Sequence, residues 1–335
     1  MDAARHAEML ANRVRKAFHR LQPVFERLAV GAFRLYDRDI PEVRATVDWY
    51  EGHLVVAEYA RRQTDEIPGY VETLARAAAA ALDVPPGNVH VRRRRTRPAA
   101  GERYGRLGTS GRFLDVREGA LRFRVNLDDY LDTGLFPDHR ETRAHVAAES
   151  RGKRFLNLFG YTGTFTCSAA AGGARSATTV DRSETYLRWT RDNLELNGLW
   201  GPRHRLVASD AHPFLETAAR GEARWDLCVV DPPSFSTGRG APAFDVQRHH
   251  RALLEKALEV LAPHGALYFS TNHQRFEPEL DGLPGDVREI TEATVPIDYR
   301  NRRVHRCWRI ALGPCRIERS PRDLGVVAVP TRHKR

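Results

Sequence analysis

Residues 227–235 read Leu-Cys-Val-Val-Asp-Pro-Pro-Ser-Phe, an apolar run that stops at two prolines. Four consecutive apolar residues predict a strand that is buried on both faces of a parallel sheet. The prolines end the strand, because neither can donate a ladder hydrogen bond and each fixes its own φ. The turn therefore presents Asp231 and Phe235 at the carboxyl end of a strand, where open α/β sheets bind ligands. An ordinary loop could have the same sequence. The strands that precede it along the chain therefore have to show whether this turn belongs to a ligand-binding site.

Three upstream strands end in glycine-rich or acidic turns. Residues 155–163, Phe-Leu-Asn-Leu-Phe-Gly-Tyr-Thr-Gly, predict a strand and a tight turn, and a small-residue helix follows over 164–171. Asp181 ends the next strand about twenty residues after the turn, the spacing at which an acidic residue binds a ribose. Asp210 follows a third strand. Packing alone does not require acidic residues at successive strand ends, although helix capping would also favour them.

The glycine spacing argues against a dinucleotide. The pyrophosphate fingerprint requires the pattern G-x-G-x-x-G, whereas Phe159 and Tyr161 occupy positions where that pattern needs glycine. S-adenosylmethionine (SAM) has a ribose, an adenine and an amino-acid tail but no phosphate, so it fits this loop better. We expect Asp181 to bind the ribose hydroxyls, Asp210 the adenine amino group, and the backbone of residues 157–163 the methionine end.

Matches to one known family run along nearly the whole chain from Met9 onward. They include Asp129-Tyr130-Leu131-Asp132-Thr133-Gly134-Leu135-Phe136, Asp138-His139-Arg140, Asn157-Leu158-Phe159, Tyr161-Thr162-Gly163, Asp231-Pro232-Pro233, Phe244-Asp245-Val246-Gln247-Arg248, and Arg300-Asn301-Arg302 with His305. In these motifs the chain resembles the class I SAM-dependent rRNA methyltransferases. Within that class it is similar to the carboxy-terminal, guanine-N7 half of the bacterial bifunctional 23S rRNA guanine methyltransferase. The amino-terminal RNA-binding module and the guanine-N2 methyltransferase of that relative are not expected here.

The expected fold is α/β. A helix over about 5–28, a second helix near 70–82 and short strands predict a small α+β RNA-binding domain over 1–130, with hairpin turns at Glu51-Gly52-His53 and Glu118-Gly119-Ala120. Alternating strands and helices then predict a Rossmann-like, seven-stranded SAM-dependent methyltransferase sheet over 131–313. Its last two strands are expected near 286–294 and 303–312. Residues 314–335 form a basic tail.

The resemblance and the strand ends together predict the site residues. The cofactor-binding set is Arg140, Asn157, Phe159, Gly160, Tyr161, Thr162, Gly163, Asp181, Ser183, Asp210, Ala211 and Asp231. The catalytic set is Asp231, Pro232, Pro233, Phe235 and Asn272. We expect Asp231 to accept hydrogen bonds from the Watson–Crick edge of a flipped guanine while Phe235 stacks on its ring; alternatively, Phe235 is a core residue. His139, His249, His250 and His305 are predicted to be structural.

The predicted chemistry needs no cysteine nucleophile. Methylation at carbon 5 of a pyrimidine would use one, and neither the Asp231 turn nor the turn at Ser270-Thr271-Asn272 contains cysteine. Guanine N7 already carries a lone pair, so positioning against the methyl group is the main requirement. The alternatives are methylation of an exocyclic amine, at guanine N2 or adenine N6, and a non-catalytic rRNA-binding assembly factor.

The charge of the chain predicts a polyanionic partner. The net charge is +10 and the pI is about 9.8, which favours 23S rRNA or a large-subunit assembly intermediate. The predicted phosphate contacts are Arg92, Arg93, Arg94, Arg95, Arg97, Arg300 and Arg302, although a solvated charged surface would explain the run 92–97 equally simply. The four cysteines show no metal-ligand spacing and no stretch has transmembrane length. We therefore expect a cytoplasmic protein without a metal.

Overall fold

The computed structural model describes residues 2–59, 64, 67–94, 107–238 and 241–313. The predicted basic tail, 314–335, lies outside the described residues. The helices are α1 (Ala3–Arg27), α2 (Tyr70–Ala80), α3 (Arg140–Glu149), α4 (Thr164–Ala171), α5 (Glu184–Leu196), α6 (Ala211–Arg220), α7 (Val246–Glu259) and α8 (Thr291–Thr294). Within these ranges, no helix combines the length and apolar character needed to span a bilayer.

Fifteen strands accompany the helices in the described part of the chain. They are β1 (Ala32–Asp37), β2 (Ala45–Tyr50), β3 (His53–Tyr59), β4 (Val89–Arg94), β5 (Leu114–Glu118), β6 (Leu121–Val125), β7 (Arg154–Leu158), β8 (Ser176–Asp181), β9 (His204–Ala208), β10 (Trp225–Val230), β11 (Phe235–Gly238), β12 (Ala241–Asp245), β13 (Leu261–Thr271), β14 (Asp286–Glu289) and β15 (Arg306–Ala311).

The amino-terminal unit is a four-stranded sheet with the order β1-β2-β3-β4. Helices α1 and α2 share one apolar core with this sheet, in which Leu10, Val14 and Leu74 are fully buried. The predicted hairpin between β2 and β3 is confirmed: Tyr50 pairs with His53. The two-residue loop has positive φ at both positions, which glycine adopts easily and which matches the right-handed twist of the strands.

The predicted seven-stranded sheet is confirmed, with the order β14-β15-β13-β10-β7-β8-β9. Strands β13, β10, β7, β8 and β9 are parallel, and β15 is antiparallel to both of its neighbours. The strand expected over 286–294 is shorter than predicted, because it ends at Glu289 and residues 291–294 form α8. Leu156, Leu227 and Val229 are buried, as expected for strands with helices on both faces.

The β5–β6 hairpin connects the two units. Val116 and Phe123 are fully buried in a cluster that also contains Val55 of the small sheet and Leu194 of α5. Asn193 of α5 also accepts a hydrogen bond from the backbone N–H of Arg124 in β6. The hairpin therefore fixes the small sheet against the large one.

Consecutive parallel strands place their carboxyl ends on one edge of the sheet. The chain runs from β7 to β8 and β9 in one direction and returns to β10 and β13 in the other. The crevice between β7 and β10 is therefore the topological switch point, where ligands bind in open α/β sheets.

Candidate active site

The turn after β7 is held in a strained conformation directly against β8. Phe159 and Tyr161 have φ values of 55° and 48°, a left-handed region that residues other than glycine rarely adopt. Gly160 between them has no room for a side chain, because a Cβ there would lie 2.2 Å from Cγ2 of Thr179. The N–H of Gly160 donates to the carbonyl of Val180 at 2.9 Å. Backbone strain of this kind is found at ligand-binding turns.

Asp181 organises the carboxyl end of β8. Its two carboxylate oxygens accept hydrogen bonds from the backbone N–H of Tyr161 at 2.9 Å and of Ser183 at 2.8 Å. Burial raises the pKa of the Asp181 carboxyl, and the two N–H groups act in the opposite direction. Ser183 also caps α5, since its hydroxyl accepts from the N–H of Tyr186. Asp181 thus joins the glycine turn to the start of α5.

Asp210 lies at the next strand end and caps α6. Its carboxylate accepts from the N–H of His212 at 3.0 Å and lies 3.7 Å from the guanidinium of Arg182. Ala211, the first residue of α6, is buried. The N–H of Ser209 donates to the carbonyl of Asp181. The predicted ribose and adenine residues therefore lie on directly connected strand ends.

Asp231 follows β10 on the other side of the switch point. Its Oδ1 accepts a hydrogen bond from the Ser270 hydroxyl at 2.6 Å, and its Oδ2 lies 3.6 Å from Nε2 of His139. The Asp231 side chain is 24% exposed, so a ligand can reach it. Pro232 is buried and Pro233 is partly exposed.

Phe235 begins a small antiparallel hairpin of β11 and β12 beside this turn. Its exposed fraction is 41%, so it is not a core residue and its ring is available for stacking. Asn272 is exposed at the end of β13 and accepts a hydrogen bond from the Ser234 hydroxyl at 2.7 Å. The carboxyl ends of β7, β8, β9 and β13 and the Asp231 turn after β10 thus lie along one edge of the sheet. We call this edge the strand-end rim.

Three predicted cofactor residues have other partners. Arg140 stays a predicted cofactor ligand, and in the structure its guanidinium is buried and donates to Asp298 and to the carbonyl of Ala32. The Asn157 side chain is buried and donates to the Thr166 hydroxyl, and the Thr162 hydroxyl donates to the carbonyl of Gly134. Cofactor binding by Asn157 and Thr162 stays a prediction.

The arginines of residues 92–97 that were predicted to contact phosphates differ in their exposure. Arg92 stays a predicted phosphate contact, and in the structure it is buried and donates to the carbonyls of Leu127 and Leu131. Arg93 is 45% exposed and lies 3.5 Å from the carboxylate of Glu58. Arg95 and Arg97 lie outside the described residues, and of Arg94 only the backbone, in β4, is described.

Arg300 and Arg302 lie on the turn before β15. Arg300 is 67% exposed and pairs with Asp39 of the small unit at 3.0 Å. Arg302 is exposed, and its guanidinium donates to the carbonyls of Pro296 and Glu292. Both side chains keep free surface toward solvent.

A buried histidine pair lies behind Asp231, and the sequence analysis named its two members only as structural residues. The rings of His139 and His305 stack with centroids 4.4 Å apart, and Nδ1 of His305 lies 3.2 Å from the carboxylate of Asp138. Burial opposes ionisation of Asp138, yet the two histidines hold the pKa of its carboxyl well below the usual range. All three residues belong to the family motifs, which was the only available signal. Nothing in the sequence places residues 139, 231 and 305 together.

Comparisons with known proteins show what this chain is similar to. The family model described as S-adenosylmethionine-dependent methyltransferase matches residues 27–292. The Neisseria meningitidis protein named ribosomal RNA large subunit methyltransferase K is 41% identical over 90% of this chain and 86% of its own length. The Allochromatium vinosum ribosomal RNA large subunit methyltransferase K/L is 44% identical over 91% of this chain. The chain spans only 42% of that K/L relative.

Solved structures share the fold. A protein crystallised with SAH and described as a methyltransferase has a TM-score of 0.72 at 22% identity, covering 91% of this chain and 81% of its own. A SAM-dependent methyltransferase from Agrobacterium tumefaciens has a TM-score of 0.57 at 19% identity, covering 80% and 88%. At these identities the similarity establishes the fold alone.

Proposed function

This chain belongs to the S-adenosylmethionine-dependent methyltransferase family, in the group of ribosomal RNA large subunit methyltransferases K, and from that membership we propose that it methylates guanine N7 in 23S rRNA. The strand-end rim of β7, β8 and β9 binds SAM, and the Asp231 turn binds the guanine.

The turn after β7 fits SAM in its chemistry. Gly160 lets the turn backbone lie directly against Thr179 of β8, and the amino terminus of α4 has no side-chain cap, so its N–H groups can donate to a ligand. Each Asp181 oxygen already accepts one backbone N–H and keeps a further lone pair for a ribose hydroxyl. When bound, SAM supplies an electrophilic methyl group on a sulfonium.

The observation that carries the nitrogen-methylation proposal is the composition of the rim around Asp231. The cysteines in the described ranges, Cys167, Cys228 and Cys307, are fully buried. Burial raises the pKa of each thiol well above its ordinary value, so none can act as the thiolate that pyrimidine C5 methylation requires. A carboxylate and an exposed aromatic ring remain at the turn, which suits a base nitrogen.

Asp231 can supply electrostatic stabilisation in this reaction. Guanine N7 attacks with its own lone pair, so no proton has to be removed first, and the ring gains positive charge as the bond forms. A carboxylate that accepts from the guanine Watson–Crick edge stabilises this charge. Phe235 can stack on the base and exclude water. Correct positioning of the two reactants alone can lower the barrier by about 7–11 kcal/mol.

The proposed RNA contacts are electrostatic. Arg93, Arg300 and Arg302 are exposed among the described arginines, and the net charge of +10 favours a polyanion. We include residues 94, 95 and 97 in this surface on sequence grounds. The partner is 23S rRNA or a large-subunit assembly intermediate, and the expected compartment is the cytoplasm.

Mass mapping of rRNA from a deletion strain tests the proposal. We expect one 23S guanosine to lose a base methyl group, and to regain it when the wild-type chain is expressed but not when Asp231→Ala is. An unchanged rRNA methylation pattern in the deletion strain would refute the proposal. Calorimetric SAM binding separates an enzyme from a non-catalytic assembly factor.

A further inference from the structure

The carboxylate of Asp231 is held from two sides. Ser270 donates its hydroxyl to Oδ1 at 2.6 Å, and the Nε2 atom of His139 lies 3.6 Å from Oδ2. Ser270 comes from β13 and is 2% exposed, and His139 ends the short 3-10 turn Pro137–His139 and is 6% exposed. Two buried polar side chains from separate elements therefore meet the same catalytic carboxylate.

The surroundings of His139 define which nitrogen carries its proton. Nε2 lies between two carboxylates, 3.6 Å from Asp231 and 3.9 Å from Asp138. Nδ1 is buried and has no hydrogen-bond partner among the described residues. Two negative charges beside Nε2 and none beside Nδ1 favour the tautomer with hydrogen on Nε2.

Burial also determines the charge of His139. Burial lowers the pKa of the imidazole, and His305 acts in the same direction, while Asp231 and Asp138 oppose both. A neutral ring can donate to Asp231 without neutralising the carboxylate as a full ion pair would. The stacked His305, which hydrogen-bonds Asp138 at 3.2 Å and Thr294 at 3.1 Å, fixes the plane of the His139 ring.

A metal site is the other chemistry that this cluster suggests. Ligand atoms of Asp138, His139 and His305 lie within 4.8 Å of one another. The two rings, however, are nearly parallel, with 14° between their planes and 4.4 Å between centroids. Imidazole lone pairs lie in the ring plane, so stacked rings direct them into separate planes rather than toward one ion about 2.1 Å from each nitrogen.

We propose that His139 and Ser270 are positioning residues, which hold the Asp231 carboxylate with its remaining lone pairs toward the target base. This inference rests on the proposed function. On substrate binding, the 3.6 Å separation between His139 and Asp231 shortens to a hydrogen bond, and both donors then fix the carboxylate in the geometry of the transition state.

Four variants test the role in the full-length protein with 23S rRNA as substrate. His139→Leu and Ser270→Ala remove a donor, His139→Gln keeps an N–H near the Nε2 position, and Ser168→Ala is a matched control. Ser168 is also buried, but its hydroxyl donates to the carbonyl of Thr164 in α4. We expect kcat to fall about ten- to hundred-fold in His139→Leu and Ser270→Ala, as for the loss of a hydrogen bond to a charged group.

The pattern of the remaining measurements distinguishes positioning from a purely structural role. KM for rRNA and the Kd for SAM should stay within about twofold, and His139→Gln should recover most of kcat. In an Asp231→Asn background, His139→Leu should have no further effect, because both changes act through one group. Equal losses in His139→Gln and His139→Leu, or additive losses with Asp231→Asn, would overturn the proposal.

If His139→Leu does not fold, Ser270→Ala decides, and wild-type kcat in that variant rejects the positioning role. A stoichiometric metal ion whose removal by a chelator abolishes activity would also reject it. The identity of the methylated nucleoside made by the wild-type chain tests the proposed function separately, because the variants are compared only by their rates.

Discussion

At the scale of single residues, Asp181 combines a structural task with a binding one. Its carboxylate accepts from the N–H groups of Tyr161 and Ser183, and burial raises its pKa. A partly buried carboxylate that keeps unused lone pairs favours a ligand that supplies further donors. The ribose hydroxyls of SAM would supply them.

Asp181→Ala should weaken SAM binding at least about tenfold, because it removes two hydrogen bonds to a charged group, each worth about 1.5–3 kcal/mol. Isothermal calorimetry measures this directly. Glu184→Ala, an exposed neighbour in the first turn of α5, is the control and should bind as wild type. Unchanged affinity in Asp181→Ala would exclude Asp181 as the ribose ligand.

The raised pKa of Asp181 predicts a pH dependence. Ribose hydroxyls donate to the ionised carboxylate, so protonation weakens binding. Because burial raises this pKa, protonation begins at a higher pH than for an ordinary aspartate, and the Kd for SAM should increase as the pH falls toward that range. Titrations between about pH 4.5 and 8 should show this slope in the wild type and not in Asp181→Asn. The same slope in both proteins would contradict the assignment.

At the scale of elements, the strands were predictable and the turn conformation was not. The apolar runs of β7, β8 and β10 fix their positions, since a parallel strand covered on both faces must be apolar throughout. The two glycines in residues 155–163 predict a tight turn but do not show which of its residues adopt positive φ. In the structure Phe159, Tyr161 and Gly163 are left-handed, whereas Gly160 is required by its close contact with Thr179. Local sequence does not encode that contact.

Gly160→Ala should therefore destabilise the protein through a steric clash, and a second substitution at Thr179 should relieve that clash. Its Cβ would meet Cγ2 of Thr179 at 2.2 Å, and overpacking of this kind costs about 1–3 kcal/mol. Thr179→Ser removes that methyl group and keeps the hydroxyl that contacts Thr166 at 2.7 Å. Urea unfolding should show the double variant more stable than the sum of the single changes. Gly201→Ala, where nothing lies within 4 Å of the added Cβ, should be neutral.

At the scale of the whole molecule, Asp298 joins the two units. Its side chain is fully buried, accepts from the guanidinium of Arg140 at 2.5 Å and accepts from the backbone N–H of Arg34 at 2.9 Å. Arg140 belongs to a motif that suggested cofactor binding, and Arg92 belongs to a run that suggested phosphate binding. Sequence patterns identify charged residues but not whether a distant carboxylate or carbonyl neutralises them. Cofactor binding by Arg140 and phosphate binding by Arg92 therefore stay predictions, although both guanidinium groups already have acceptors within the protein.

Asp298→Ala should lower the free energy of unfolding by about 3–5 kcal/mol, because it leaves the buried Arg140 without its partner. Arg300→Ala breaks the exposed pair with Asp39, which also crosses between the units, and should cost less than about 1 kcal/mol. Chemical denaturation of both variants compares the two contacts. Equal costs would mean that burial of the Arg140–Asp298 pair does not determine its contribution.

The most direct test of the central proposal is the identity of the nucleoside that the purified chain makes. The protein would be incubated with 23S rRNA from a deletion strain and methyl-labelled SAM, and the digested nucleosides would be resolved by mass spectrometry. The account predicts label in 7-methylguanosine, absent with Asp231→Ala although that variant still binds SAM. Label in N2-methylguanosine, N6-methyladenosine or a C5-methylated pyrimidine would contradict it, as would no transfer to rRNA by the SAM-bound wild type.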